Sequence, residues 1–197
     1  MRSRFTSPPT LLCITFHETC HGLAAYRLGD PTAKRAGRLT LNPLRHVDIG
    51  GLLMMALFRF GWAKPVPINP RNFRNLRQGM LLTAIAGPGS NAIQMIVWAL
   101  LLKLCVAVGI YDKFVLSVCS AGISVNLMLM AFNLIPIPPL DGGRILRGLL
   151  PERAGEQLDR IEPYGMIILL VLMVGGGLTF FVRPFLMFGQ WLVNLVL

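Results

Sequence analysis

Charged residues are scarce in this sequence, and acidic residues are the scarcest of them. Of 197 residues only 14% are charged, and 9 Asp or Glu stand against 19 Lys or Arg, which gives a net charge of +10. Hydrophobic residues make up 54% of the chain, and the mean hydropathy is +0.60. Soluble domains carry about 25% charged residues, so this composition excludes an ordinary soluble protein and is typical of a membrane protein.

The excess of basic residues does not indicate a nucleic-acid partner. The basic residues lie in loops between apolar runs, nine of them within residues 29–79 and four within residues 141–162. Two apolar runs separate these loops, which places both on the same side of a bilayer, and basic loops are typical of the cytoplasmic side. We therefore expect a multi-pass protein of the cell membrane that has the lipid bilayer as a partner and binds no nucleic acid.

Cysteine is also rare, and its spacing excludes a disulfide framework. The four cysteines lie in or beside apolar segments without any C-x-x-C spacing: Cys13, Cys20, Cys105 and Cys119. Such cysteines usually act as small buried apolar residues. Cys20 has a minor alternative, metal contact or redox sensitivity, because it lies between two histidines.

Only three histidines occur, and two of them form the motif H-E-x-x-H at residues 17–21. Residues four apart lie on one face of a helix, so His17 and His21 can offer two imidazole nitrogens to one metal ion. Glu18 lies beside the pair and can take a proton from a water at the metal. Zinc suits this set of groups. A chance match is disfavoured because two His and a Glu are costly in an apolar helix unless something binds them.

Four further polar residues are candidates for the site. His46 is either a loop histidine bonded to backbone or a group near the metal or substrate, with neither alternative favoured. Asp141 is either a third metal ligand or a turn residue before Gly142, and the residues alone favour the turn. Asn91 either forms an interhelical hydrogen bond, which we favour slightly, or donates to substrate backbone. Asn133 is a polar residue in an apolar run.

The apolar runs predict an all-α polytopic membrane protein, a transmembrane helix bundle in one domain over residues 1–197. A short β or re-entrant segment follows the first helix, because residues 38–41 alternate like a strand and residues 50–63 are too short for a span. Glycines at 87–89 permit either close packing or a local break. We predict a charged loop over 144–162 and five apolar segments, at about 9–28, 80–102, 114–135, 164–182 and 185–197.

Six motifs in the same order resemble the site-2 protease family of intramembrane zinc metalloproteases, peptidase family M50. They cover most of residues 11–150 and are specific jointly: His17–Gly22, Tyr26–Ala33, Gly37–Pro43 with His46, Gly61–Pro67, Ala86–Asn91 and Asn133–Arg144. The chain resembles the compact members, because it has no room for a PDZ insertion or a CBS tail. It departs from them in two places: the apolar run before H-E-x-x-H and the segment 50–63 are both shorter than usual.

The resemblance implies an enzyme that hydrolyses peptide bonds in or near transmembrane segments of membrane proteins. It implies that His17, His21 and Asp141 bind Zn²⁺ and that Glu18 is the catalytic base. His46, Asn91 and Asn133 are then candidates to support the ligands or contact the substrate. Association into a homo-oligomer is left open.

Two other functions compete with this interpretation. The first is a non-catalytic metal-binding or adaptor protein on the same scaffold, which would not need Glu18. The second is a transporter that uses His and Asp as relays, but transporters usually show inverted repeats, and the sequence shows none.

Overall fold

A computed structural model describes residues 7–48, 50–51 and 64–196, and most of this part of the chain is helical. Short 3-10 turns at Pro43–Arg45, Pro70–Asn72 and Glu162–Tyr164 join some of the helices. The α-helices of the described residues are α1 Ser7–Arg27, α2 Thr32–Arg35, α3 Leu76–Ala107, α4 Lys113–Asn133, α5 Asp141–Leu149, α6 Glu152–Ile161, α7 Gly165–Val174 and α8 Leu178–Val196.

Three described helices are long and apolar enough to cross a membrane: α3, α4 and the part of α8 from Leu178 to Leu195. The longest, α3, has 32 residues, which is about 48 Å and exceeds a hydrocarbon core of about 30 Å. Large apolar side chains such as Ile93 and Val97 are exposed on its outer face. A face of this kind is stable in lipid and not in water, so the helices confirm the prediction of a membrane protein.

The helices pack closely where glycine removes a side chain. A Cβ on Gly122 would lie 2.3 Å from the ring of Trp98, and one on Gly189 would lie 2.1 Å from Leu127. Small residues of this kind let helix backbones approach in membranes. The buried apolar cluster where α3, α4 and α8 meet consists of Met95, Ala99, Leu127, Met130 and Val193.

Helix α3 runs without interruption through Pro88. The predicted alternative of a local break at residues 87–89 is therefore wrong, and close packing is the correct one. Ser90 donates its hydroxyl hydrogen to the carbonyl of Gly87 at 2.7 Å, which satisfies a backbone acceptor beside the proline.

The chain after Asp141 differs from the prediction in two places. Residues 144–162 are not a loop, because α5 and α6 occupy most of them. In α6, Glu152 lies in the first turn and Arg160 in the last, and both charges interact favourably with the helix dipole and stabilise the helix. Residues 164–182 are not one span. Helix α7 ends before three glycines, and Gly176 adopts φ +72°, a left-handed conformation that ends helices. Within the described residues, the predicted terminal segment is part of α8 up to Val196.

The predicted strand at residues 38–41 is also wrong, because the described residues contain no β-strand. The carbonyl of Thr40 accepts the hydroxyl of Thr19 at 2.9 Å and lies 2.9 Å from Nε2 of His46. Side chains therefore bind the backbone acceptor that a neighbouring strand would otherwise use. The predicted re-entrant segment 50–63 falls, except for Gly50 and Gly51, outside the described residues.

Candidate metal centre

Helix α1 places the two histidines of H-E-x-x-H on its buried face. The exposed fraction of His17 is 5% and that of His21 is 7%. The two Nε2 atoms lie 3.0 Å apart, and the rings are nearly perpendicular, at 87°. One helical turn therefore brings two imidazole nitrogens to one point, as the i, i+4 spacing predicts.

The outer nitrogen of each ring has a hydrogen-bond acceptor on α3. Nδ1 of His17 lies 2.6 Å from Oδ1 of Asn91, and Nδ1 of His21 lies 2.7 Å from the carbonyl oxygen of Thr83. Because both oxygens can only accept, each Nδ1 carries a hydrogen, and the lone pair of a neutral imidazole is left on Nε2. Metal-binding histidines are typically oriented in this way.

Asp141 completes the group from the first residue of α5. Its Oδ2 lies 3.3 Å from Nε2 of His17 and 3.2 Å from Nε2 of His21. This oxygen is buried and has no hydrogen-bond partner among the described residues. Three acceptor atoms in one buried place repel one another unless a cation or proton lies between them.

The spacing of these three atoms fits zinc. Zinc ligands lie about 2.0–2.2 Å from the ion in a tetrahedral arrangement, which puts neighbouring ligand atoms about 3.3 Å apart. His17, His21 and Asp141 are the group of the described His, Cys, Asp and Glu residues that could hold a metal ion. Two neutral imidazoles and one carboxylate also leave a fourth position for water or substrate.

Glycines make room for this arrangement. A Cβ on Gly87 would lie 2.3 Å from Nε2 of His21, so α3 can pass the two rings only with glycine there. A Cβ on Gly142 would lie 2.3 Å from the carbonyl oxygen of Ile135, and one on Gly143 would lie 2.4 Å from the nitrogen of Pro138. The two glycines therefore allow the proline-rich loop before Asp141 to fold against the start of α5. Asp141 itself is the first residue of this helix and not a turn residue.

Glu18 lies beside the group and outside it. It is half-buried, and its Oε2 accepts a hydrogen bond from the backbone N–H of Val66 at 3.0 Å. The position suits a base, since Glu18 follows His17 directly and does not join the three convergent atoms.

Of the other predicted residues, one contacts the site and the rest lie outside the group of three. Asn91 is fully buried and forms an interhelical hydrogen bond, as favoured, but its partner is a ring of the site. His46 is buried against Thr40, outside the group of three. Asn133 donates to the carbonyl of Leu129 in its own helix at 3.0 Å. Cys20 is half-buried and also lies outside the group.

Several residues that orient the site were not predicted. Nδ2 of Asn91 donates to Sγ of Cys13 at 3.0 Å and lies 3.4 Å from Oδ1 of Asn126; Asn126 in turn donates to the carbonyl of Gly122 at 2.9 Å. Cys13 lies one helical turn before His17, which is a signal that the spacing offered. The contact of the Thr83 carbonyl with His21 has no signal in the sequence, because every residue has a carbonyl.

The fold and the site together define a helical membrane protein in which two histidines and a carboxylate could hold a metal ion. The model of the family described as Peptidase family M50 matches residues 108–176. The chain is 42% identical over 172 residues to "Putative zinc metalloprotease YwhC" of Bacillus subtilis (strain 168), a match that covers 83% of this chain and 77% of the relative. The chain therefore belongs to peptidase family M50.

Other relatives, matched at lower identity or over a shorter part of the chain, carry similar names. "Putative zinc metalloprotease Rip2" of Mycolicibacterium smegmatis is 29% identical over 178 residues, which are 86% of this chain and 66% of the relative. "Putative zinc metalloprotease Rip3" of Mycobacterium tuberculosis is 42% identical over 72 residues, which are 35% of this chain and 18% of the relative. No solved structure matches the chain. The family resemblance, the zinc cofactor and the metalloprotease class are thus confirmed.

Proposed function

We propose that this protein is an intramembrane zinc endopeptidase, one domain over residues 1–197 in the cell membrane, that cleaves peptide bonds in or near transmembrane segments of membrane proteins. The observation that carries the proposal is the depth of the metal centre. Asn91, which supports His17, is 15 residues after the first residue of α3 and 16 before the last. At about 1.5 Å per residue, the centre lies roughly 22–24 Å from each end of this candidate span.

The proposed roles follow from the geometry. His17, His21 and Asp141 would hold zinc. When bound, the ion supplies Lewis-acid chemistry, polarising a carbonyl and lowering the pKa of water to about 7. Glu18 accepts the proton of the attacking water on its carboxylate and gives it to the leaving amine. Asn91 and the carbonyl of Thr83 keep both Nε2 lone pairs directed at one point.

The substrate must present an unwound backbone to this site. A peptide bond inside a helix is hydrogen-bonded within its own segment and shielded by side chains. The proposed substrate is therefore a transmembrane segment that is locally extended at the cleavage point. The exposed apolar faces of the helices are consistent with a substrate that reaches the protein from the lipid.

Purified protein reconstituted in lipid vesicles with a single-span substrate tests the proposal. Wild type with zinc should cleave the substrate. Glu18→Gln should retain zinc and lose cleavage by about 10²–10⁴-fold, whereas His21→Ala should lose both. Full cleavage by Glu18→Gln would refute the assignment of the base. Zinc binding without any cleavage by wild type would favour the non-catalytic metal-binding protein instead.

A further inference from the structure

The extended segment 64–69 lies against α1 beside the proposed base. Val66 is its buried residue, with 7% exposed, while Lys64, Pro65 and Pro67 are exposed. The side chain of Val66 fits where α1 has no side chain, because a Cβ on Gly22 would lie 3.1 Å from Cγ1 of Val66. The segment therefore packs onto the turn of α1 that follows Glu18 and His21.

Val66 supplies the one backbone N–H between two prolines, and that N–H is directed at Glu18. Pro65 and Pro67 have no backbone hydrogen, so residues 65–67 contain a single amide donor. It donates to Oε2 of Glu18 at 3.0 Å. A hydrogen bond to a carboxylate is stronger than one between neutral groups, and this one fixes one oxygen of the Glu18 carboxylate.

Arg38 holds the two carbonyls that directly precede this donor in the chain. Its guanidinium donates to the carbonyl of Lys64 and, at 3.2 Å, to that of Pro65. Arg38 is buried, with 7% exposed, and no carboxylate forms an ion pair with it in the described part of the chain. A buried guanidinium without a counter-ion is costly, so its two backbone contacts are a specific feature and not incidental surface chemistry.

The backbone at both ends of the segment is bonded as well. The N–H of Lys64 donates to the carbonyl of His46 at 2.9 Å, and the N–H of Asn69 donates to Oδ2 of Asp30 at 2.7 Å. The segment is thus held in register along α1 without a neighbouring strand. A shift by one residue would place a proline, which has no donor, opposite Glu18.

We propose that Arg38 and the backbone of Val66 form a positioning unit for the base: Arg38 fixes the peptide that carries the Val66 N–H, and this N–H orients the Glu18 carboxylate. The inference rests on the proposed role of Glu18. The unit acts on Glu18 and not on the metal ligands, so its loss should lower the rate of hydrolysis and leave zinc bound.

Hydrogen exchange at the Val66 amide tests the contact without any substrate. We would measure it on the full zinc-loaded chain in detergent, with ¹⁵N-valine labelling to resolve the amide. Glu18→Ala removes the acceptor and should speed exchange about tenfold or more, whereas Glu18→Gln keeps an acceptor oxygen and should stay close to wild type. Arg38→Ala should also speed exchange, and Arg38→Lys less so. Exchange at the wild-type rate in Glu18→Ala would overturn the proposal.

Cleavage kinetics test the consequence. Val66→Pro removes the donor and should lower kcat by about tenfold or more, with KM and zinc content unchanged. Val66→Ala keeps the N–H and loses only methyl groups, so its kcat should fall by a smaller factor. Equal losses in the two variants would reduce Val66 to a packing residue and overturn the proposal. A wild type that cleaves nothing would instead count against the proposed function, and the exchange result would still decide the contact. If Val66→Pro does not fold, as judged by thermal melting, the exchange result alone decides.

Discussion

Two polar clusters in this protein have similar hydrogen-bond lengths and very different surroundings. In the metal centre, hydrogen bonds of 2.6 and 2.7 Å join His17 and His21 to α3, and the His17, His21 and Asp141 side chains are only 6–9% exposed. On α5 and α6, Arg147 pairs with Glu152 at 2.7 Å and with Asp159 at 2.9 Å. Those three side chains are 28%, 70% and 50% exposed.

The difference shows that burial, and not bond length, decides what a polar contact contributes. Water replaces a lost partner on the surface, so an exposed ion pair contributes little. Inside the bundle no water replaces it, and a group left without its partner costs about 1–3 kcal/mol. Changes near the metal centre should therefore have large effects, and changes near Arg147 small ones.

The largest effect is expected from Gly87→Ala. The new methyl group would lie 2.3 Å from Nε2 of His21 and 2.7 Å from Cε1 of His17, so both rings must move and their nitrogens no longer converge. Zinc content measured by mass spectrometry after purification should fall to a small fraction of the wild-type value. Gly89→Ala is the matched control, because a Cβ there meets nothing within 4 Å. Normal zinc content in Gly87→Ala would show that the metal does not bind between these rings.

The second-largest effect is expected from Asn91→Ala, which removes the acceptor for Nδ1 of His17. Loss of a group that orients a metal ligand typically lowers metal affinity about 10–100-fold. Competition with a zinc chelator measures this affinity. Asn133→Ala is the control, since the Asn133 side chain donates to its own helix, and it should bind zinc like wild type. Equal losses in the two variants would point to a general weakening of the bundle and not to ligand orientation.

The sequence allowed prediction of those parts of the fold and site that depend on local patterns. The i, i+4 histidines and the apolar runs of α3 and α4 are local, since helical periodicity and composition determine them. Asp141 was different, because the residues alone offered a ligand or a turn and favoured the turn, and only the family resemblance favoured the ligand. A group that lies 120 residues away from His21 in sequence is brought near by tertiary packing, which local patterns do not encode.

Some of the errors have the same cause, and one has a local cause. The strand at 38–41 was wrong because Thr19 and His46 provide hydrogen bonds to Thr40, and both partners depend on tertiary structure. The single span at 164–182 was wrong because three successive glycines end a helix even within an apolar run. The contact between Glu18 and Val66 could not be predicted, since a backbone donor has no sequence signature.

For a buried carboxylate outside the metal centre, we expect an effect between those at the metal centre and at Arg147. Asp30 accepts hydrogen bonds from Asn72 and from the N–H groups of Thr32 and Asn69. Burial would raise the pKa of this carboxyl, but the hydrogen bonds lower it more, so the pKa lies below its usual value of 3.8. A lowered pKa means that the folded state favours the charged form. Its contribution to stability is present above about pH 4 and is lost as the pH falls through the pKa of the folded state.

Thermal melting of Asp30→Asn in detergent between about pH 3 and pH 7 tests this contribution. At pH 7 the variant should melt several degrees below wild type, because an amide hydrogen replaces an acceptor facing the N–H of Asn69. The difference in melting temperature between the variant and wild type should become smaller toward pH 3. Glu156→Gln, a change at an exposed carboxylate, should keep the wild-type dependence on pH. A gap that stays constant would assign the effect of Asp30 to shape and not to charge.

The smallest effect is expected from Arg147→Gln, which removes both exposed ion pairs. Arg147 lies across α6, since a Cβ on Gly155 would meet its Nη1 at 2.2 Å, and its pairs join α5 to α6. Because water and salt screen exposed pairs, the melting temperature should fall by only a few degrees, and by less in 1 M salt. Zinc content and cleavage should stay at the wild-type level. A large loss of zinc would contradict the comparison between the clusters, because it would mean that α6 helps to hold Asp141, six residues before Arg147, at the metal.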